Sequence, residues 1–212
     1  MTVFRYPLTE TNHGYEPWIM ISARLEHFLD RPLAPLVKRF PVNPNLLTIT
    51  GFLITTVAAL TILYNIRLAG VLILVGGFFD MLDGVMARTN GRVTRFGAFL
   101  DSVLDRYSDA VLFIGITVYY LRPMSKAGVF LSLGSLVGAF LISYARARAE
   151  AIGRDCHVGL LERAERIILL SVGCLTGWLL PILWGLFVLS HITVIQRVYH
   201  TWKATQGNQN GR

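Results

Sequence analysis

Apolar residues fill this chain in runs of about twenty, and polar residues gather between them. Six runs fall near residues 45–65, 68–88, 97–121, 126–152, 159–180 and 181–203. A helix of ~20 residues crosses the ~30 Å hydrocarbon core of a bilayer, and a helix satisfies its own backbone polar groups there. The fifth and sixth runs join tightly around Pro181. Residues 18–40 follow a different pattern. Trp18, Ile21, Leu25, Phe28, Leu33, Leu36 and Phe40 recur at three- to four-residue steps, with Arg24, Glu26, Arg31, Lys38 and Arg39 between them. That spacing predicts an amphipathic helix lying on the membrane surface, bent or restarted at Pro32; a helix packed on the protein's own face would look the same. The expected fold is an all-α integral membrane protein of six transmembrane helices plus the N-terminal amphipathic interfacial helix. Its parts are an arm and juxtamembrane helix over 1–40, a transmembrane domain over 41–204, and a polar, disordered tail over 205–212.

Composition excludes a soluble domain. Of 212 residues, 53% are hydrophobic and 16% charged, and the mean hydropathy is +0.52. The formal charge of +7 is unevenly placed. One set of helix ends carries Arg31, Lys38, Arg39, Arg88, Arg92, Arg95, Arg146, Arg148, Arg154, Arg163, Arg166, Arg197 and Lys203; the other carries only Arg67, Arg122 and Lys126. The excess of positive charge on cytoplasmic loops then places both termini in the cytoplasm, in a multi-pass protein of the cell membrane. Basic residues split among short connections argue for membrane lipids and phosphates as partners, and against nucleic acid. Cys156 and Cys174 form no disulfide framework or thiolate metal pattern. The opening segment lacks a basic-then-apolar leader, so no cleavable signal is expected. The five histidines show no ligand spacing with the acidic residues.

Residues 78–105, "FFDMLDGVMARTNGRVTRFGAFLDSVLD", hold four aspartates beside apolar runs. Asp80 and Asp83 are three residues apart near the end of the second run, and Asp101 and Asp105 four apart near the start of the third. Each pair shares one helical face. The short link predicts that the second and third helices are antiparallel neighbours, with all four carboxylates at one depth toward the cytoplasm. Bare acids so placed would repel one another and resist desolvation. Hard oxygen ligands suit Mg²⁺ or Mn²⁺, and four carboxylates suffice for two ions in the geometry used for phosphoryl substitution. A salt-bridge network with Arg88, Arg95 and Arg106 is the alternative, with Arg106–Asp109 as one expected pair. Gly84 and Gly97 remove side chains where the helices, or a ligand, must come close.

Asp80, Asp83, Gly84, Ala87, Arg88, Gly97, Asp101 and Asp105 read as D-x2-D-G-x2-A-R-x8-G-x3-D-x3-D. This resembles the signature of the CDP-alcohol phosphotransferase family, at all eight fixed positions. The resemblance implies attack of an alcohol on the β-phosphorus of a CDP-linked lipid, with CMP leaving. It implies one metal ion on Asp80, Asp83 and Asp101, a second on Asp80, Asp101 and Asp105, and Asp105 as general base. It implies a CDP-lipid site at Asn45, Thr48, Gly84, Arg88 and Thr94. Asn45 at a helix start would also serve as a simple cap.

Three further segments put arginine near the same end: "SYARARAEA", "GLLERAERIILL" and "VIQRVYHTW". Arginine forks match phosphate oxygens, so an acceptor bearing a phosphate is expected. The arrangement is similar to the branch of the family that uses inositol phosphate, the phosphatidylinositol phosphate and archaetidylinositol phosphate synthases. There the matching acceptor positions fall on Arg146, Arg166 and Arg197. The chain departs from that branch at Arg146, where a lysine is usual. Arg163 and Arg166 would equally pair with Glu162 and Glu165 as a charged helix start, and Arg197 would equally be a membrane anchor. The expected reaction is therefore metal-dependent transfer from CDP-diacylglycerol or CDP-archaeol to inositol phosphate, in phospholipid biosynthesis. Glycerol 3-phosphate is the alternative acceptor. A divalent-cation transporter is the alternative from another class, weakened by acids clustered at one end beside arginines. The resemblance also implies a homodimer.

Overall fold

A computed structural model of the chain describes residues 43–89 and 94–206. The amphipathic helix expected over 18–40, the arm before it, and residues 207–212 of the tail lie outside the described residues. Within them are six helices: α1 (Pro44–Thr61), α2 (Ile66–Thr89), α3 (Arg95–Leu121), α4 (Lys126–Ala151), α5 (Arg163–Thr176) and α6 (Leu179–Gln206). They occupy the six predicted places, and α6 runs two residues into the tail expected to be disordered.

Local chemistry sets the helix ends. The Asn43 side chain accepts from the Asn45 amide at 3.1 Å, with Pro44 opening α1. Asn43, not Asn45, is thus the cap of that helix. Thr94 Oγ1 accepts from the Gly97 amide at 2.9 Å and starts α3. Glu162 and Glu165 form a reciprocal capping box at the start of α5, with Glu165 Oε2 accepting from the Glu162 amide at 3.1 Å. Gly177, at φ 78°, ends α5 in the left-handed conformation that a β-carbon disfavours. The tight junction between α5 and α6 is therefore Gly177–Trp178. Pro181 sits inside the first turn of α6, where its missing amide hydrogen costs no helical bond.

Among the described residues the helices pack as a closed ring in the order α1, α2, α5, α6, α4, α3 and back to α1. The expected direct packing of α2 on α3 is slight at most among the described residues: α1 lies against both, and α2 and α3 do not pack extensively on each other. Small residues allow the close approaches. A β-carbon on Gly76 would lie 2.5 Å from Thr55 Oγ1, and one on Gly115 would lie 2.7 Å from the Ala59 carbonyl oxygen. Ser171 Oγ donates to the Gly70 carbonyl at 2.7 Å and ties α5 to α2. Leu112, Phe113, Ile116, Leu131, Leu170, Leu183 and Leu186 fill the interior. The outer faces are apolar too, with Leu53, Leu60, Val71, Phe130, Val137 and Ile195 exposed. Apolar residues on both sides of a helical ring suit a lipid solvent, in which packing and polar contacts, rather than water exclusion, hold helices together. Among the described residues four helices, α1, α2, α4 and α6, are long and apolar enough to cross a membrane. α3 is interrupted by Asp101, Asp105, Arg106 and Asp109, and α5 has 14 residues, fewer than the run of 159–180 suggested. The chain precedes α5 with non-helical residues over 154–162.

Candidate active site

The aspartate pairs lie on α2 and α3, and the fold brings their carboxylates together. Oxygen atoms of Asp80, Asp101 and Asp105 all lie within 4.8 Å of one another. Asp83 stands beside this cluster on α2. Its Oδ2 is buried with no hydrogen-bond partner among the described residues, and its side chain lies against Thr48. Three convergent carboxylates and a fourth with an orphaned, buried oxygen form a hard, acceptor-only donor set. That set fits a divalent cation of the Mg²⁺, Mn²⁺ type and no soft metal.

Two cavities open from this cluster, and Asp101 lines both. The smaller, about 170 Å³, lies between α1, α2 and the start of α3. Asn45, Thr48, Gly84, Arg88 and Thr94 all line it, with Asp83 and Gly97. Gly84 lets Arg88, one turn later, fold back over it: a β-carbon there would lie 3.2 Å from Arg88 Nη1. Gly97 makes room for α1, since its β-carbon would lie 3.0 Å from Asn45 Oδ1. Thr48 Oγ1 donates to the Pro44 carbonyl at 3.1 Å, and Thr94 spends its hydroxyl lone pair as the α3 cap.

The larger cavity, about 950 Å³, lies on the other side, between α3, α4, α5 and α6. Arg146, Arg166 and Arg197 all line it, with Asp105 and Arg163, but their states differ. Arg146 is the open one; its Nε donates to Glu150 Oε1 at 2.8 Å, leaving its two terminal nitrogens. Arg166 is 2% exposed and holds Asp109 of α3 with Nε and Nη2, leaving Nη1 buried without a partner. Arg197 is equally buried. It donates to the carbonyls of Val158 at 2.9 Å and Ile142 at 2.7 Å and pairs with Glu162, so it pins the 154–162 segment to α4. Arg166 and Arg197 are thus wall residues with internal partners.

Two pairings differ from expectation. Asp109 is taken by Arg166 rather than Arg106. Arg106 instead lies 3.5 Å from Asp105 and donates to the Ser102 carbonyl at 2.6 Å. Arg163 is not paired with a neighbouring glutamate. Its guanidinium bridges Asp80 and Asp105, lying 2.5 Å from Asp105 Oδ1. Arg163 is the site residue that sequence reasoning passed over. The signal was present in "ERAER": two arginines three apart share a helix face, so both point the same way.

Known proteins give this geometry a context. The family model described as CDP-alcohol phosphatidyltransferase matches residues 41–202. An archaetidylinositol phosphate synthase of Methanothermobacter thermautotrophicus is 37% identical over 186 residues, 84% of this chain and 91% of that protein. The crystal structure of Mycobacterium tuberculosis phosphatidylinositol phosphate synthase with CDP-DAG bound is similar with a TM-score of 0.68 and 33% identity, over 84% of this chain and 94% of that one. The same enzyme in complex with manganese and citrate gives a TM-score of 0.68 and 33% identity, over 82% and 88% of the two chains.

Proposed function

We propose that this chain, which belongs to the CDP-alcohol phosphatidyltransferase family and is therefore a membrane transferase, transfers a phosphatidyl-type group from a CDP-lipid to inositol phosphate and releases CMP. The single observation that carries the reading is Asp101. It lines both cavities, with the aspartate cluster at the boundary between them. A donor in the smaller cavity and an acceptor in the larger one would meet at those carboxylates. The relatives named as inositol phosphate synthases, and the CDP-DAG and manganese complexes of the mycobacterial enzyme, support the same substrates and a divalent ion.

Each residue then has a task. Asp80, Asp83, Asp101 and Asp105 would hold the metal, Mg²⁺ in this reading and two ions in number, with Mn²⁺ able to replace it. Such ions, when bound, supply charge neutralisation for the diphosphate and the departing nucleotide. Asn45, Thr48 and Thr94 bound the nucleotide space, Gly84 keeps it clear, and Arg88 reaches the diphosphate. Asp105 lines the acceptor cavity and takes the proton of the attacking hydroxyl. The oxygen–β-phosphorus bond forms as the bond to CMP breaks. Arg146 offers its terminal nitrogens to the acceptor's phosphate, and Asp109 holds Arg166 facing the same space.

The reading also carries six membrane crossings, both termini and the site on the cytoplasmic face of the cell membrane, and a homodimer. The uneven placement of basic residues supports the orientation. Purified protein with CDP-lipid, Mg²⁺ and a panel of polar alcohols tests the acceptor. Inositol 1-phosphate is expected to release CMP fastest. A clear preference for glycerol 3-phosphate would replace the acceptor assignment and leave the transferase chemistry intact.

A further inference from the structure

We propose that Arg163 is a shared counter-charge: it pairs with Asp80 and Asp105 in one state and with the anionic acceptor in the other, so that metal binding and acceptor binding are coupled through this one side chain. The inference rests on the reading of the aspartates as metal ligands and of the larger cavity as the acceptor site.

Arg163 is the first residue of α5, and its backbone is held. The Glu162–Glu165 capping box fixes the helix start, and Arg197 holds Glu162 at 3.4 Å. Among the described residues the side chain is held only at its tip, by Asp80 and Asp105. It lines the larger cavity and remains 21% exposed, against 2% and 3% for the side chains of Arg166 and Arg197. Its Nη1 reaches Asp80 and Asp105 together, while its Nε is buried with no partner among the described residues, so the guanidinium is not a saturated clamp.

A guanidinium and a divalent cation held on the same carboxylates repel each other at such short range. The oxygens Arg163 occupies belong to Asp80 and Asp105, two of the three acids that converge within 4.8 Å. Metal loading therefore weakens the hold of Asp80 and Asp105 on Arg163 and favours its movement outward. The space open to it is lined by Arg146, Arg166 and Arg197, which disfavour another cation. The acids nearby are already engaged: Glu150 by Arg146, Glu162 by Arg197 and Asp109 by Arg166. A phosphate in the cavity would give the displaced guanidinium a partner. Acceptor binding then favours metal binding, and linkage makes the effect reciprocal.

The test is Mn²⁺ binding by electron paramagnetic resonance on the full chain in nanodiscs, with and without inositol 1-phosphate and without CDP-lipid, so that no turnover occurs. In the wild type, inositol 1-phosphate is expected to tighten Mn²⁺ binding about 10-fold, within the usual range of coupling between sites. Arg163→Gln is expected to tighten Mn²⁺ binding about 10-fold without acceptor and to reduce the acceptor's effect to roughly 2-fold or less. Arg163→Lys keeps the charge and is expected to leave Mn²⁺ affinity near the wild-type value. Absence of coupling in the wild type overturns the proposal without any variant. It is also overturned if Arg163→Gln binds Mn²⁺ no more tightly, or if Arg163→Lys behaves as Arg163→Gln does. If Asp101→Asn binds Mn²⁺ as well as the wild type, the metal reading itself fails, and the proposal with it.

Discussion

Arg166 on α5 holds Asp109 on α3 side-on, with Nε 3.2 Å from Oδ1 and Nη2 2.5 Å from Oδ2. Both side chains are nearly sealed, at 2% and 5% exposure. The pair lines the larger cavity and joins helices that are not neighbours in the ring. Removing one partner strands the other charge, which typically costs about 3–5 kcal/mol. Asp109→Ala is expected to lower the melting temperature of the detergent-solubilised protein sharply. The exchange Asp109→Arg with Arg166→Asp keeps the pair and is expected to recover at least half of the loss. A swap no more stable than the single variant would show that geometry, not charge pairing, is decisive.

Asp105 lines the larger cavity, and its Oδ1 lies 2.5 Å from Arg163 Nη1. General-base assistance is worth about 10²–10⁴-fold. Asp105→Asn is expected to cut CMP release by at least 10²-fold while the protein still binds CDP-lipid. EDTA is expected to abolish turnover in the wild type, with Mg²⁺ or Mn²⁺ restoring it. Unchanged turnover in Asp105→Asn would remove it from the role of base.

Gly97 separates two residues of the smaller cavity. A β-carbon there would lie 2.9 Å from Thr94 Oγ1 and 3.0 Å from Asn45 Oδ1. Gly97→Ala is expected to push Asn45 inward and raise KM for the CDP-lipid at least 5-fold, a cost near 1 kcal/mol on the scale where 1.4 kcal/mol is tenfold. The KM for the acceptor is expected to stay within 2-fold, about 0.4 kcal/mol on that scale. Equal effects on both substrates would separate this cavity from the donor.

Arg197 donates to two carbonyls and a carboxylate with three different nitrogens. Lysine cannot reproduce that fork, because its ammonium is a single point donor. Arg197→Lys is expected to cost about 1–3 kcal/mol by leaving buried carbonyls unpaired. Melting curves would show it, together with faster proteolysis within residues 154–162. A stable Arg197→Lys protein with a raised acceptor KM would instead mark Arg197 as a ligand contact.

Much of this protein is written in the order of its residues. Apolar runs placed six helices, because a chain in lipid must close its backbone hydrogen bonds locally. Spacing of three and four put Asp80 with Asp83 and Asp101 with Asp105, since a helix fixes direction around its own axis. Which helix each face meets is not a local property. Tertiary packing put α1 against both α2 and α3, gave Asp109 to Arg166 instead of Arg106, and brought Arg163 from α5 between Asp80 and Asp105. It also gave Arg197, which lines the larger cavity, a hold on the 154–162 segment through the Val158 carbonyl and on α4 through the Ile142 carbonyl. Ion pairs form between whichever charges the fold brings within a few ångströms, and distance along the chain carries no record of that.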